Sequence, residues 1–129
     1  MRYLLDTHIL LWMRHADRRL SRERWEPVFY DSENEILFSL VSIWEIAIKR
    51  SLGKLDLDGE LEDFARTLAT EHGFRQLPVR LDEICRLESL PAHHRDPFDR
   101  LLIAQCIEND VVAVTNDPRW SAYPVQVEF

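Results

Sequence analysis

Four acidic residues stand out by type and setting: Asp6, Glu45, Asp99 and Asp117. Asp6 closes the apolar run RYLLD (2–6), and Asp117 lies two residues beyond VVAVT (111–115). Glu45 ends SIWE (42–45), and Asp99 ends DPFD (96–99). Carboxylates in such places either cap helices and turns or gather to hold a cation. A gathered set suits Mg²⁺ or Mn²⁺, hard ions that take carboxylate and water oxygens and leave positions open for a phosphate.

Capping explains each acid singly. Ser42 and Asp96 are good N-cap residues, and Pro97 sits at the favoured first helical position, which makes Glu45 and Asp99 third residues of their helices. S-x-x-E is a capping box and D-P-x-D a close relative, worth about 0.3–2 kcal/mol through orphan amides and the helix dipole. Glu45 can also pair with Lys49 one turn on, and Asp117 can serve a turn before Pro118.

Taken together, the acids resist that account. Asp99 shares its helix face with Leu102, Ile103 and Cys106, and Glu45 lines up with Ile48 and Leu52. Acids on apolar stripes are costly unless paired, and no lysine looks buried enough to pair them. Two carboxylates about 5 Å apart at an effective dielectric of about 20 repel by roughly 3 kcal/mol. Several such pairs strain a domain whose whole stability is about 5–15 kcal/mol. A divalent cation removes the conflict.

The surrounding elements set where the acids lie. RYLLD, EILFS (35–39) and VVAVT have the continuous apolar character of strands buried on both faces of a parallel sheet. Helical patterns cover 7–15, 42–52, 60–72, 81–88 and 97–109, VQVEF is a late or edge strand, and Pro27 makes 21–33 a short or kinked helix. Strands alternating with helices predict an α/β sandwich. Asp6 and Asp117, at strand exits, then fall at the carboxyl edge of the sheet, where open α/β folds bind ligands.

Composition narrows the function classes. The 129 residues read as one domain spanning 1–129 with no internal repeat or linker. Cys85 and Cys106 stand apart without metal spacing, as small buried apolar residues of a reducing compartment. No run reaches the roughly 18 apolar residues of a membrane span, so the expectation is a cytoplasmic protein. A formal charge of −7 argues against a general nucleic-acid binder. Setting the four acids aside leaves −3, and Lys49, Arg50, Lys54, Arg95, Arg100 and Arg119 flank the acidic blocks, where they can guide phosphates. A zinc site at His8, His93 and His94 is weak, because there is no HxxxH pair or cysteine partner. A phosphoacceptor receiver domain wants adjacent acids after its first strand and a lysine after a late one; DTH and TND supply neither.

The blocks LLDTHILLW, SIWEIAIKRSLGKL, LPAHHRDPFDRLLIAQ and VTNDPRW, in this order and spacing, resemble the PIN domain of the VapC-like toxin group over nearly the whole chain. The resemblance implies a three-layer α/β/α sandwich with a short, mostly parallel central sheet. It also implies a Mg²⁺-dependent endoribonuclease, with Mn²⁺ able to substitute, acting as the toxin of a type II toxin–antitoxin pair. The family's acidic quartet falls on Asp6, Glu45, Asp99 and Asp117, as catalytic residues and metal ligands. Thr7 and Thr115 resemble hydroxyls that orient a ligand or water, and Lys49 and Arg100 belong to the expected substrate contacts. Asp96 is left as an N-cap. The implied partners are RNA, a cognate antitoxin that occludes the site, and a second copy of the chain, for which Trp12 or Trp25 offers a surface. The implied chemistry is in-line attack on an RNA phosphorus by metal-activated water, without a nucleophilic side chain. Two departures are Trp120, where Phe is usual, and Pro27 in the second helix. The competing reading is a catalytically inactive PIN-like interaction domain, which metal-dependent cleavage separates from an enzyme.

Overall fold

The apolar runs pair into one sheet. The computed structural model describes residues 1–129, in which β1 (Arg2–Leu5), β2 (Glu35–Ser39), β3 (Arg75–Leu77), β4 (Val112–Val114) and β5 (Val127–Glu128) are all parallel to their neighbours, in the order β3-β2-β1-β4-β5. Six α-helices connect them: α1 (Thr7–Arg14), α2 (Arg22–Phe29), α3 (Leu40–Ser51), α4 (Leu61–Thr70), α5 (Leu81–Arg86) and α6 (Pro97–Asn109). Short 3₁₀ turns follow at Leu87–Ser89 and Pro118–Ala122.

The period of two along the strands divides the core. Leu5, Ile36, Phe38 and Val114 face one side, where Ile9 and Leu10 of α1, Trp25 of α2 and Phe64 of α4 cover them. Leu4, Leu37 and Ala113, which stand in register across β1, β2 and β4, face the other side against Leu102, Ile103 and Cys106 of α6 and Trp120. The result is the expected three-layer α/β/α sandwich, with a sheet that is wholly parallel. From β1 the chain builds outward through β2 and β3 on one side and returns to add β4 and β5 on the other. The order therefore reverses between β1 and β4, the kind of crevice in which open parallel sheets bind ligands.

Several local expectations change. α3 starts at Leu40, capped by Ser39, whose hydroxyl accepts from the Val41 amide at 3.0 Å. β2 runs straight into the helix, so Ser42 is not the cap and Glu45 belongs to the second turn. The residues one and two turns beyond Glu45, Ile48 and Leu52, are exposed rather than core. Trp12 and Trp25 are buried and offer no docking surface, while Cys85 is exposed on the short α5. β3 was not foreseen because RQL at a sheet edge holds one apolar residue in three. α6 begins as expected: Asp96 accepts from the amides of Phe98 at 2.8 Å and Asp99 at 3.1 Å, with Pro97 in the first turn. No helix is long and apolar enough to cross a membrane.

Candidate metal centre

At the reversal between β1 and β4 the backbone brings the strand-end acids together. Asp6 follows β1, and its amide donates to Val114 of β4 at 3.0 Å. Its carboxylate accepts from the Thr7 amide at 2.7 Å and the Thr115 hydroxyl at 2.8 Å, and lies 3.0 Å from His8 Nδ1. Thr115 Oγ1 in turn accepts from the Asp117 amide at 3.1 Å, which fixes the second strand-end acid relative to the first.

Glu45 arrives from α3 and is buried. Thr7 Oγ1 lies 2.6 Å from Glu45 Oε1 and 2.9 Å from Ser42 Oγ. A carboxylate only accepts, so Thr7 donates to Glu45 and Ser42 donates to Thr7. Both threonines singled out in the sequence are thus buried and spend their hydroxyls on acids of the quartet. Asp99 projects from the first turn of α6, whose N-terminal dipole favours negative charge.

Ligand-capable atoms of Glu45, Asp96 and Asp99 lie within 4.8 Å of one another, as do those of His94, Asp99 and Asp117. Asp99 joins the two sets. Asp96 therefore stands at the site while also capping α6. The cleft, of about 550 Å³, is lined by five carboxylates, those of Asp6, Glu45, Asp96, Asp99 and Asp117, against the cations of Lys49, Lys54 and Arg119.

Two of those cations are engaged. Lys49 is ion-paired in close contact with Glu45 and stands 3.6 Å from Asp96, so the lysine that the sequence appeared to lack is present, half-buried by its own helix. Burial works to lower the Lys49 pKa, but Glu45, Asp96 and Asp99 outweigh it and hold it raised. Arg119 grips Asp117 through Nε at 3.0 Å and Nη2 at 2.9 Å. Against the burial that would raise it, Arg119, its backbone amide and His94 bring the Asp117 carboxyl down to about 2. Asp99 has no such cation. Burial first, then the charges of Asp6, Asp96, Glu45 and Asp117, push its carboxyl up to about 8.

Fully ionised, the five carboxylates against three cations leave two negative charges uncompensated, and the oxygen donors are of the hard type that Mg²⁺ or Mn²⁺ prefers. The residues fit a divalent ion. Arg100 does not join them. Its guanidinium donates to the carbonyls of Pro91 at 2.9 Å, Leu87 at 3.2 Å and Leu90 at 3.3 Å, tying the loop before α6 to that helix. The sequence reading missed His94, which is buried with Nε2 2.8 Å from Asp99 and 3.0 Å from Asp117. The only local signal was its place two residues before an Asp-Pro helix start.

A PIN domain family model matches residues 3–126 of the sequence. The chain belongs to the PIN-domain family. Among solved structures, this PIN domain is similar to a chain of VapBC2 from Rickettsia felis, solved bound to a DNA fragment from their promoter, with a TM-score of 0.74, 14% identity, and coverage of 99% of this chain and 98% of that one. It is similar to a chain of DNA-bound VapBC from Salmonella typhimurium, with a TM-score of 0.67, 15% identity, and coverage of 99% and 97%. It is also similar to a chain of VapBC-5 from Mycobacterium tuberculosis, a member of the VapBC family of toxin–antitoxin systems, with a TM-score of 0.56, 17% identity, and coverage of 98% and 95%. At these identities the likeness is one of fold. No curated protein matches the sequence significantly.

Proposed function

We propose that this PIN domain, as a single unit over residues 1–129, is a Mg²⁺-dependent endoribonuclease and the toxin of a type II toxin–antitoxin pair. The observation that carries the reading is the convergence of Asp6, Glu45, Asp99 and Asp117 at one cleft, where burial and then the neighbouring carboxylates raise Asp99 to about 8. In this reading those four hold Mg²⁺, or Mn²⁺ in its place. A divalent ion there supplies electrostatic stabilisation of the phosphorane-like charge and lowers the pKa of water.

The chain's own residues do the rest. Thr7 and Thr115 orient Glu45 and Asp6 through their hydroxyls, leaving each carboxylate a further oxygen face for the cleft. The α6 N-terminus holds Asp99 in place and stabilises negative charge nearby. Arg119, mostly exposed, and Lys54, at the cleft rim, stand where a phosphodiester backbone enters, with Lys49 deeper beside Glu45. None of these side chains is a nucleophile toward phosphorus, which leaves water in that part.

The partners follow from the same reading: RNA in the cleft, a cognate antitoxin that occludes it, and a second copy of the chain, in the cytoplasm. Incubating the pure protein with single-stranded or loop RNA and Mg²⁺ or Mn²⁺ tests the activity. Cleavage should stop with EDTA and leave 5′-phosphate and 3′-hydroxyl ends; 2′,3′-cyclic phosphate products would identify the RNA's own hydroxyl as nucleophile and overturn the mechanism. A non-catalytic interaction domain draws support from Lys49 and Arg119, which neutralise two of the acids without any ion. Absence of metal-dependent cleavage, with cleavage equally absent in Asp99→Asn, favours that second reading.

A further inference from the structure

His94 lies at the centre of the acids with both ring nitrogens engaged, and its hydrogen bonds define which nitrogen carries the proton. Nδ1 lies 3.1 Å from the Asp96 amide nitrogen. A backbone N–H only donates, so Nδ1 must accept and carries no proton. The imidazole is then the Nε2–H tautomer, which donates to Asp117 Oδ2 at 3.0 Å and brings the same polar edge of the ring to 2.8 Å from Asp99 Oδ2. The same bond to Asp96 removes His94 as a metal ligand. Ligation through Nε2 would need the proton on Nδ1, facing the amide hydrogen of Asp96.

The backbone around this ring is anchored independently of it. The His94 amide donates to the Tyr123 hydroxyl at 2.8 Å, which donates onward to the Pro91 carbonyl at 2.8 Å. The His94 carbonyl accepts from Arg100 at 3.4 Å. The ring itself is buried, so no solvent competes for Nε2–H. The two carboxyl groups it touches come from separate parts of the chain, Asp99 from α6 and Asp117 from the turn after β4.

We propose that His94 is a positioning residue of the metal centre: with Nδ1 committed to the Asp96 amide, its Nε2–H donates to Asp117 and lies against Asp99, and so holds these two carboxylates facing one another without itself ligating the ion. The proposal rests on the metal-nuclease reading of the cleft. A polar N–H edge set between two carboxyl groups offsets part of their mutual repulsion and sets their spacing before the ion arrives. Partners of this kind, hydrogen-bonded to ligands, change metal affinity by about 10–100-fold when removed.

The test uses the whole chain and reads binding rather than cleavage. Nitrogen-15 NMR of labelled imidazoles, without metal and with saturating Mg²⁺, should show the His94 proton on Nε2 in both states. Calorimetric titration with Mn²⁺ should show His94→Leu weakened about 10–100-fold relative to wild type. His94→Gln, which returns an N–H donor at similar reach, should recover most of that loss. A proton on Nδ1, or loss of the Nε2 proton on adding Mg²⁺, makes His94 a ligand and overturns the proposal. Equal Mn²⁺ affinity in wild type and His94→Leu overturns the positioning role alone. A wild type that binds no Mn²⁺ overturns the metal reading and the role with it, a distinguishable result. If His94→Leu does not fold, the NMR measurement on the wild type still decides between donor and ligand.

Discussion

Asp6 and Asp99 are both acids of one cleft, yet their surroundings give opposite expectations for the same substitution. Asp6 accepts two hydrogen bonds, one of them as the cap of α1, so Asp6→Asn, which turns an amide toward donors, should cost about 1–2 kcal/mol in EDTA. Asp99 is raised to about 8 from an ordinary 3.8. Between those values the folded state holds a proton that the unfolded chain has lost. This contribution is therefore complete below about pH 4 and declines as pH rises toward 8, by the order of a few kcal/mol. Asp117, depressed to about 2, works the other way, and its contribution disappears as pH falls from about 4 toward 2. Urea unfolding in EDTA should show wild-type stability falling from pH 5 to 8 and Asp99→Asn holding level across that range. An identical fall in both proteins would mean that Asp99 does not carry the repulsion. The placement of Asp6, Asp99 and Asp117 was legible in the sequence, because strand exits and a true helix start are marked by residue type, whereas Glu45 was picked out by a false capping box. Their hydrogen-bond partners were less so: Lys49 looked like surface and His94 like loop, since only the folded arrangement brings α3, α6 and the loop before it to one point.

On the scale of elements, α3 and α6 carry most of what the sequence left open. α6 showed its start, its buried stripe and its end, because an Asp-Pro cap and a run of apolar residues agree. α3 was misplaced by two residues, since SIWE imitates a capping box although Ser39 already serves as the cap. The misplacement hid a row of exposed apolar side chains one turn apart: Leu40, Trp44, Ile48 and Leu52. Trp44 meets Phe98 of α6 edge-on, with ring centroids 4.8 Å apart, so the row continues onto the helix that bears Asp99. This row, rather than Trp12 or Trp25, is the surface suited to the second copy in the proposed dimer. Light scattering should find Ile48→Glu monomeric where wild type is dimeric; a dimeric Ile48→Glu would place the interface elsewhere. Arg100→Met tests the other helix. Losing its bonds to the carbonyls of Leu87, Leu90 and Pro91 should cost about 1–3 kcal/mol of stability. Mn²⁺ affinity should change little, since Arg100 does not line the cleft.

For the whole molecule, the metal-nuclease reading together with the excess of carboxylates predicts that the ion and the fold stabilise each other. Excess Mn²⁺ or Mg²⁺ should raise the wild-type melting temperature and shift Asp99→Asn much less, since an ion stabilises the native state only in proportion to its occupancy. A shift of equal size in both would place ion binding outside this cleft. Overall architecture was readable in advance because alternation of strand and helix dictates layers; β3 escaped because an edge strand of three residues carries almost no pattern. The strand order has a further consequence, for synthesis. β1 is the central strand, and the cleft closes only when β4 lies beside it, with Thr115 bonding to Asp6 across 109 residues of chain. No nascent chain that stops before residue 117 contains both Asp6 and Asp117. In the nuclease reading, a ribosome making this protein therefore carries an inactive nascent chain until residues 1–117 have emerged, and cutting begins only after the chain has passed Asp117.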